Sequence, residues 1–375
     1  MPSKTPSRII FASSELSADM FYATRFSVPD SFLFLEQNGR KTIVLSDLEV
    51  DRGRSEAAVD EVVSFSALEK ALEKKLKTKP SVGQTLASFV RGRRVRKALV
   101  PANFPLELAV TFNEHGIALE PQPGLFWPAR EFKTAAELKA LRNAIRITEV
   151  GLARAHEVLR ASEIRPGRRL VWAGQKLTSE LLRSEIDCAI LRAGGLAVST
   201  IVAGGSQACD PHQRGSGPLM ANSLIILDVF PKDTRTGFYG DLTRTVVRGR
   251  ASDAQRRLWE TTLAGQKLAL ENIRTGEPGQ ALQDKVRQYF TDQGYPTEIK
   301  DGRWTGFFHG LGHGLGLDIH EPPRIALTDF KAGQVFTVEP GLYLPGIGGV
   351  RHEDDGVVTE RGFQVLSNFE KVLEL

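Results

Sequence analysis

Histidine and leucine alternate with glycine in one stretch of the chain, His309-Gly310-Leu311-Gly312-His313-Gly314-Leu315-Gly316-Leu317. A helix is disfavoured there, because each glycine would cost about 1 kcal/mol relative to alanine. We therefore predict an extended segment, with the histidines and leucines on one face and the glycines on the other. A bare glycine face lets another backbone or a ligand approach closely. His320 follows at a position of opposite parity, so it would meet a ligand from another direction if the segment bends.

Length and composition predict two globular domains. The chain has 375 residues, of which 41% are hydrophobic and 25% charged, and this is enough for two separate cores. The formal net charge of +4 is too small to predict binding to nucleic acid. The basic run at residues 91–97 is expected to be a solvated loop.

Targeting signals and disulfides are not expected. Cys188 and Cys209 are the two cysteines, too few for a disulfide framework, so we expect a reducing compartment. No long apolar segment follows residues 1–8, which argues against a signal peptide and against a membrane span. We therefore predict a cytoplasmic protein without a membrane partner.

A proline-rich stretch at residues 121–128 divides the chain. Residues 9–127 mix short strand-like runs with a helix near 67–76, which predicts a small α/β domain. Residues 130–375 repeat one order of elements, two helices followed by three strands, which predicts pseudo-symmetric halves forming one curved antiparallel sheet under helices. Capping boxes begin the first helix of each half, at Thr134 with Glu137 and at Ser252 with Gln255. The predicted helices are 134–159, 174–193, 252–274 and 280–293, and the predicted strands are 198–202, 223–227, 238–247, 305–320, 334–339 and 348–359.

Each half also carries two carboxylates beside apolar runs. Asp228 and Asp241 are 13 residues apart, and Glu339 and Glu353 are 14 apart. Carboxylates opposed on paired strands would lie about 5 Å apart and repel, so burying four of them requires neutralisation. Two divalent cations would cancel their charge, and His313 would add a nitrogen ligand. An oxygen-rich set with one imidazole suits Mn²⁺, Co²⁺, Fe²⁺ or Zn²⁺.

Simpler explanations exist for each carboxylate taken alone. One could cap a turn, and others could pair with a nearby arginine such as Arg244 or Arg351. The joint placement of four carboxylates favours the metal site. A cysteine nucleophile, Cys209 near His212, is a weaker alternative.

The neighbours of these residues resemble one known family. The motifs are Leu227-Asp228, Tyr239-Gly240-Asp241-Leu242-Thr243-Arg244-Thr245, the stretch from His309 to Glu321, Glu339-Pro340-Gly341 and Val350-Arg351-His352-Glu353-Asp354. They look like the pita-bread metallopeptidases, which comprise Xaa-Pro aminopeptidases and Xaa-Pro dipeptidases. The resemblance covers residues 130–375, and residues 9–127 are similar to the creatinase-type N-terminal domain of those enzymes.

The resemblance implies an enzyme that hydrolyses Xaa-Pro bonds at the N-termini of peptides. Its substrate would carry proline at the second position, and a homodimer is expected. Two divalent metal ions would serve as cofactors, Mn²⁺ first, with Co²⁺, Zn²⁺ or Fe²⁺ as alternatives. The implied metal ligands are Asp228, Asp241, His313, Glu339 and Glu353.

Further roles follow from the same resemblance. His212 would contact the substrate, and His320 would bind the substrate carbonyl or help to move protons. His309 and Arg351 would support the metal site. If Glu339 touches both metal and water, we expect it to take the proton from the attacking water and pass it to the proline nitrogen.

The chain departs from the family in the loop after the first aspartate. Phe230 stands where the family usually has glycine, and residues 231–236 lengthen the loop, so the preferred substrate length stays open between dipeptides and longer peptides. Two other functions are alternatives for this fold: a catalytically silent binding module, and a creatinase-type C–N hydrolase without metals. The presence of all five ligands argues against both. A methionine aminopeptidase would leave the front domain unexplained.

Overall fold

The computed structural model describes residues 6–375, and the chain divides into two compact units between Pro128 and Ala129. We propose that these units are the domains expected at 9–127 and 130–375. Residues 1–5 of the N-terminal stretch that was considered for targeting lie outside the described residues. Within residues 6–375, every helix is too short or too polar to span a bilayer.

The first unit is built on a six-stranded mixed sheet in the order β4-β3-β2-β1-β5-β6. Its strands are β1 Ser7–Ala12, β2 Phe32–Gln37, β3 Arg40–Leu45, β4 Glu61–Ser64, β5 Lys97–Pro101 and β6 Ala118–Gln122, and its helices are α1 Ala18–Thr24, α2 Val50–Glu56, α3 Phe65–Leu76, α4 Val82–Gly92 and α5 Leu106–Glu114. Strand β1 pairs antiparallel with β2 and parallel with β5. The predicted helix near 67–76 is confirmed as α3, which begins because the Ser64 hydroxyl accepts a hydrogen bond from the Ala67 N–H.

Four long helices and several small sheets form the second unit. The helices are α6 Ala135–Ala161, α7 Ser179–Arg192, α8 Asp253–Asn272 and α9 Gly279–Asp292. Both predicted capping boxes are confirmed at the starts of α6 and α8. Helix α7 begins five residues later than predicted, because Gln175 and Lys176 pair with a neighbouring strand before Thr178 caps the helix.

The strands of the second unit repeat the order that the sequence predicts, as β11, β12 and β14 after α6 and α7, and as β17, β19 and β22 after α8 and α9. Its strands are β7 Glu163–Arg165, β8 Arg169–Trp172, β9 Gln175–Lys176, β10 Gly195–Leu196, β11 Ile201–Gly204, β12 Leu224–Val229, β13 Lys232–Asp233, β14 Leu242–Val247, β15 Glu298–Lys300, β16 Arg303–Thr305, β17 His313–Gly314, β18 Glu321–Arg324, β19 Val335–Val338, β20 Gly341–Leu344, β21 Gly348–Arg351, β22 Asp354–Thr359 and β23 Gly362–Val365. This is the pita-bread fold, so the α+β assignment is confirmed.

The two central sheets meet near the predicted carboxylates. One sheet has the order β11-β12-β14 and the other β18-β17-β19-β22-β23. The Glu353 N–H donates to the Thr243 carbonyl at 3.2 Å, and the Thr245 hydroxyl donates to the Arg351 carbonyl at 3.0 Å. These bonds connect β14 with the end of β21 and with the turn that follows it, so both halves contribute residues to one region.

The predicted long strand at 305–320 is wrong. In this region only Thr305, the last residue of β16, and residues 313–314, which form β17, are strand. Between these strands the backbone groups bond to other parts of the unit and not to one neighbouring strand. The Leu311 N–H donates to the Gln283 side chain, and the Leu311 carbonyl accepts from the Glu339 N–H. A Cβ on Gly312 would lie 1.9 Å from the Thr337 carbonyl oxygen. The glycines therefore allow several neighbouring segments to pack closely against this stretch. They do not form the single bare face of one strand.

Helix α6 carries a buried histidine away from the carboxylates. His156 is 1% exposed, and its ring centroid lies 5.0 Å from that of Phe369. The nearest carboxylate oxygen, on Glu370, is 3.6 Å from Nδ1, which is too long for a hydrogen bond. Burial, followed by the charge of Arg160, lowers the pKa of His156 to about 4. The folded protein therefore resists a proton that the unfolded chain accepts.

We expect His156 to make folding weaker in mild acid. Because its folded pKa lies below its unfolded pKa, stability is lost as the pH falls through the unfolded value near 6.5 towards 4. Between about pH 7 and about pH 5 the free energy of unfolding should fall by about 2 kcal/mol more in the wild type than in His156→Leu. Urea unfolding of both proteins, treated with chelator at each pH, measures this difference. Parallel pH dependences would contradict the prediction.

Candidate metal centre

All of the predicted site residues line one cavity of about 870 Å³ in the second unit. Its wall includes the five predicted ligands and the four predicted supporting residues, namely Asp228, Asp241, His313, Glu339, Glu353, His212, His309, His320 and Arg351. Residues more than a hundred positions apart in the chain thus face a common space.

The carboxylates come from strand ends in both halves. Asp228 lies on β12 opposite Thr243, and Asp241 immediately precedes β14, so this pair is diagonal rather than directly opposed as the sequence predicts. In the second half Val338 pairs with Asp354, which places Glu339 and Glu353 opposite each other at the next step outward. A diagonal pair lies further apart than an opposed one, which lowers the repulsion within the first pair.

His313 presents its Nε2 atom to the carboxylates. Nε2 is 3.3 Å from Oε1 of Glu339 and 3.7 Å from Oδ2 of Asp241. Its Nδ1 lies 3.0 Å from the Gly314 carbonyl oxygen, to which a protonated Nδ1 donates, leaving a lone pair on Nε2. Ligand atoms of Asp241, His313 and Glu353 all lie within 4.8 Å of one another.

The cluster is short of positive charge. Burial, with the charges of Glu353 and Asp228, raises the pKa of Asp241 well above its usual value. Burial, with Glu339 and Asp228, does the same to the pKa of Glu353. Burial raises the pKa of Glu339 to about 7 and lowers that of His313 to about 3.

A divalent cation would satisfy these groups. Among residues 6–375, the buried Oδ1 atom of Asp228 has no hydrogen-bond partner, although Oδ2 of the same group accepts from Arg351 at 2.6 Å. Buried carboxylate oxygens beside a neutral imidazole are the donor set that Mn²⁺, Co²⁺, Zn²⁺ and Fe²⁺ accept. The residues present therefore fit the metal that the motifs imply.

Arg351 organises a chain of hydrogen bonds behind the carboxylates. Besides Asp228, it donates to the Thr243 hydroxyl at 3.1 Å and to the Tyr343 hydroxyl at 3.1 Å. The Thr243 hydroxyl in turn donates to Oε2 of Glu353 at 2.7 Å, and the Tyr343 hydroxyl lies 2.9 Å from Nε2 of His309. Thr243 and Tyr343 were not predicted as site residues.

The imidazoles of two cavity histidines have few contacts that fix their orientation. His212 and His320 are exposed to the cavity, and within residues 6–375 no hydrogen bond joins either imidazole to another residue. The His320 ring centroid lies 4.4 Å from that of His313, with the rings nearly perpendicular. Burial, followed by the charge of Arg324, lowers the pKa of His320, so its neutral form is favoured.

Other candidates from the sequence have different surroundings. Cys209 lines a neighbouring cavity, and burial raises the pKa of its thiol, which opposes thiolate formation and so a cysteine nucleophile. His352 is fully buried with its ring 4.8 Å from that of Trp259. Arg244 forms its ion pair with Asp354 at 2.9 Å rather than with Asp241, so the simpler pairing considered for Asp241 is not the one found.

Asp355 was given no role from the sequence, and it proves to support the site. Its Oδ2 accepts a hydrogen bond from the Asp241 N–H at 2.9 Å, which anchors the backbone before β14. In the lengthened loop, Phe230 lines the cavity, while Lys232 and Asp233 pair with β10. Part of the insertion thus forms the short strand β13, and the apolar side chain of Phe230, just before the insertion, reaches the site.

Comparison with known proteins agrees with this class of fold and site. A buried cluster of carboxylates and one imidazole in a pita-bread fold defines a metallopeptidase-like centre. The profile of metallopeptidase family M24 matches residues 139–360, more than half of the chain. The chain therefore belongs to metallopeptidase family M24.

Particular relatives extend the likeness. The chain is 32% identical over 253 residues to the Xaa-Pro dipeptidase of Lactobacillus delbrueckii subsp. lactis, covering 66% of this chain and 62% of the relative. It is 36% identical over 181 residues to the Xaa-Pro dipeptidase of Pyrococcus furiosus, covering 47% and 49%. The chain thus spans about half to three fifths of these relatives. The solved structure of an Xaa-Pro dipeptidase from Bacillus anthracis has a TM-score of 0.81 at 24% identity, covering 99% of this chain and 95% of that one, a likeness in fold.

Proposed function

We propose that this protein is a metal-dependent peptidase that hydrolyses Xaa-Pro bonds at the N-termini of peptides. The observation that carries the proposal is the convergence of Asp228, Asp241, His313, Glu339 and Glu353 on one cavity. Membership of family M24 and the names of the two Xaa-Pro dipeptidase relatives support it.

These five residues are proposed to hold two divalent ions, with Mn²⁺ as the first choice. Such ions, when bound, lower the pKa of water towards neutrality and polarise a carbonyl oxygen. Glu339 is proposed to accept a proton from the water and to deliver it to the proline nitrogen as the peptide bond breaks. Its side chain is 18% exposed, so the carboxylate contacts both the open cavity and the imidazole of His313.

His320 and His212 are proposed to stabilise the substrate carbonyl oxygen. An imidazole carries at least one N–H donor in either protonation state, and both side chains line the cavity beside the predicted ligands. A hydrogen bond to an oxygen that gains negative charge strengthens in the transition state and therefore accelerates the reaction. Arg351 and His309 are proposed to hold the carboxylate side of the site in place through Asp228 and Tyr343.

Arg324 bears on the length of the substrate. It pairs with His313 in the register of β17 and β18, so both side chains lie on the same face, and Arg324 lines the cavity. Within the described part of the chain, no ion pair joins Arg324 to a carboxylate. A free guanidinium beside the site suits the C-terminal carboxylate of a dipeptide, and this favours dipeptides over longer peptides.

The test uses chelator-treated protein resupplied with Mn²⁺. We expect cleavage of an Xaa-Pro dipeptide, and slower cleavage of the same dipeptide with a C-terminal amide or of an Xaa-Pro-Yaa peptide. In Arg324→Gln the preference for the free carboxylate should fall by about tenfold or more, because a charge-assisted bond is lost. Arg361→Gln, on an exposed turn, is the matched control.

The outcomes separate the alternatives. Cleavage of none of the three peptides would contradict the proposed activity and favour a catalytically silent binding module. Equal cleavage of all three would keep the activity and remove the role of Arg324.

We also propose that the protein is a homodimer and that it is cytoplasmic. The two free cysteines are consistent with a cytoplasmic location, and sedimentation of the metal-loaded protein tests the oligomeric state.

A further inference from the structure

A buried ionic cluster lies directly behind His320. Glu321 is 1% exposed and forms ion pairs with Arg130 and with Lys133, the latter at 2.9 Å. Arg130 also reaches Asp318 at 2.8 Å, and the Lys133 ammonium donates to the Arg130 carbonyl at 2.7 Å. Arg130 and Lys133 come from the segment just before α6, so residues 191 and 188 positions apart meet in this cluster.

The Glu321 carboxylate closes the loop that carries His320. Its Oε1 accepts hydrogen bonds from the backbone N–H of Leu317 at 2.8 Å and of Asp318 at 3.2 Å. A Cβ on Gly316 would lie 2.7 Å from both carboxylate oxygens, so glycine is needed for the loop to pack this closely. The loop from 317 to 321 is therefore tied to the carboxylate of its own last residue.

The charge of Glu321 is essential to this arrangement. Burial alone would raise the pKa of its carboxyl, but the charges of Lys133 and Arg130 outweigh burial and lower the pKa. A buried carboxylate with two cations and two backbone donors has a saturated set of partners. Removal of its charge would leave Lys133 facing an amide N–H₂ and would loosen the loop.

His320 has no comparable anchor of its own. Within residues 6–375 its imidazole makes no hydrogen bond, and its ring meets His313 edge to face. The position of the His320 ring beside His313 therefore depends on the backbone that the Glu321 carboxylate holds. From this geometry we propose that Glu321, held by Arg130 and Lys133, is a positioning residue that orients His320 for the proposed hydrolysis.

The first experiment reads His320 without activity and so does not depend on the proposed function. Histidine-ring carbon–proton NMR spectra are recorded on chelator-treated protein, and the His320 signal is assigned by its loss in His320→Gln. In Glu321→Gln we expect this signal to shift or broaden while those of His115 and His156 stay in place. Glu360→Gln, in the exposed turn after β22, should leave all of them unmoved. An unchanged His320 signal in Glu321→Gln would overturn the proposal.

The second experiment is a double-mutant cycle on the metal-loaded enzyme, and it rests on the proposed function. Glu321→Gln should lower kcat by about tenfold or more with KM within about twofold. Added to His320→Gln it should cause a further change of no more than about twofold, because it acts through the same side chain. Independent, multiplicative losses would contradict the positioning role.

A milder variant covers the case in which Glu321→Gln does not fold. Lys133→Gln leaves the Arg130 pair and both backbone bonds intact, so the loop is loosened less. Lys133→Gln should lower kcat by less than Glu321→Gln does. When it is added to His320→Gln, it should likewise cause little further change in kcat. If the wild type cleaves none of the peptides, the proposed function fails, and the NMR result still decides whether Glu321 orients His320.

Discussion

Glu339→Gln is expected to lower kcat/KM by about a thousandfold and to leave the fold intact, because a general base contributes about 10² to 10⁴ in rate and an amide cannot accept the proton. Glutamine preserves the shape of the side chain and can still accept the hydrogen bond from the Thr337 hydroxyl, which lies 3.4 Å from Oε1. The measurement is kcat/KM on an Xaa-Pro dipeptide with Mn²⁺ present, beside the melting temperature and the bound metal.

The control separates chemistry from metal loss. Glu298→Gln, on an exposed hairpin, should behave as the wild type in every measurement. If Glu339→Gln retains its metal but cleaves at the wild-type rate, Glu339 is not the proton acceptor. If it loses metal as well, restoration of the wild-type rate by excess Mn²⁺ would assign Glu339 to metal binding alone.

Asp241→Asn is expected to change stability in opposite directions with and without metal. In the metal-free protein Asp241 is a buried carboxyl that faces Glu353 and Asp228, so an amide of the same shape should stabilise the fold by about 1 kcal/mol or more. With Mn²⁺ at about a thousand times its Kd, the wild type should gain about 4 kcal/mol, which the variant lacks. Asp241→Asn should therefore lose both the stabilisation by Mn²⁺ and the peptidase activity.

Thermal unfolding with chelator and then with excess Mn²⁺ measures both signs. Asp301→Asn is the matched control, since it lies in an exposed turn where its positive φ of 50° suits asparagine. A variant that is less stable than the wild type under both conditions would show that Asp241 is structural. Equal stabilisation of both proteins by Mn²⁺ would show that Asp241 is not a ligand.

Glu321 illustrates why some residues of the site escaped prediction. It stands next to His320 at the end of the glycine-rich motif, yet its partners Arg130 and Lys133 lie before α6 and carry no motif. Thr243 lies inside a recognised motif and was still missed, since a threonine in a strand is ordinary. Arg324 follows a proline pair at the end of β18, and no local motif marks it; its register opposite His313 is what brings it to the site.

The sequence by itself determined the elements that depend on local chemistry. Local spacing predicts both capping boxes, the long helices and the repeated order of helices and strands. Short motifs single out the five proposed ligand residues. Tertiary structure alone decided how the glycine-rich stretch bends and how Asp228 and Asp241 lie diagonally across two strands. It also decided which buried charges form ion pairs. Strand register and long-range ion pairs join residues far apart in the chain, and no local pattern records which of the many possible partners packing will bring together.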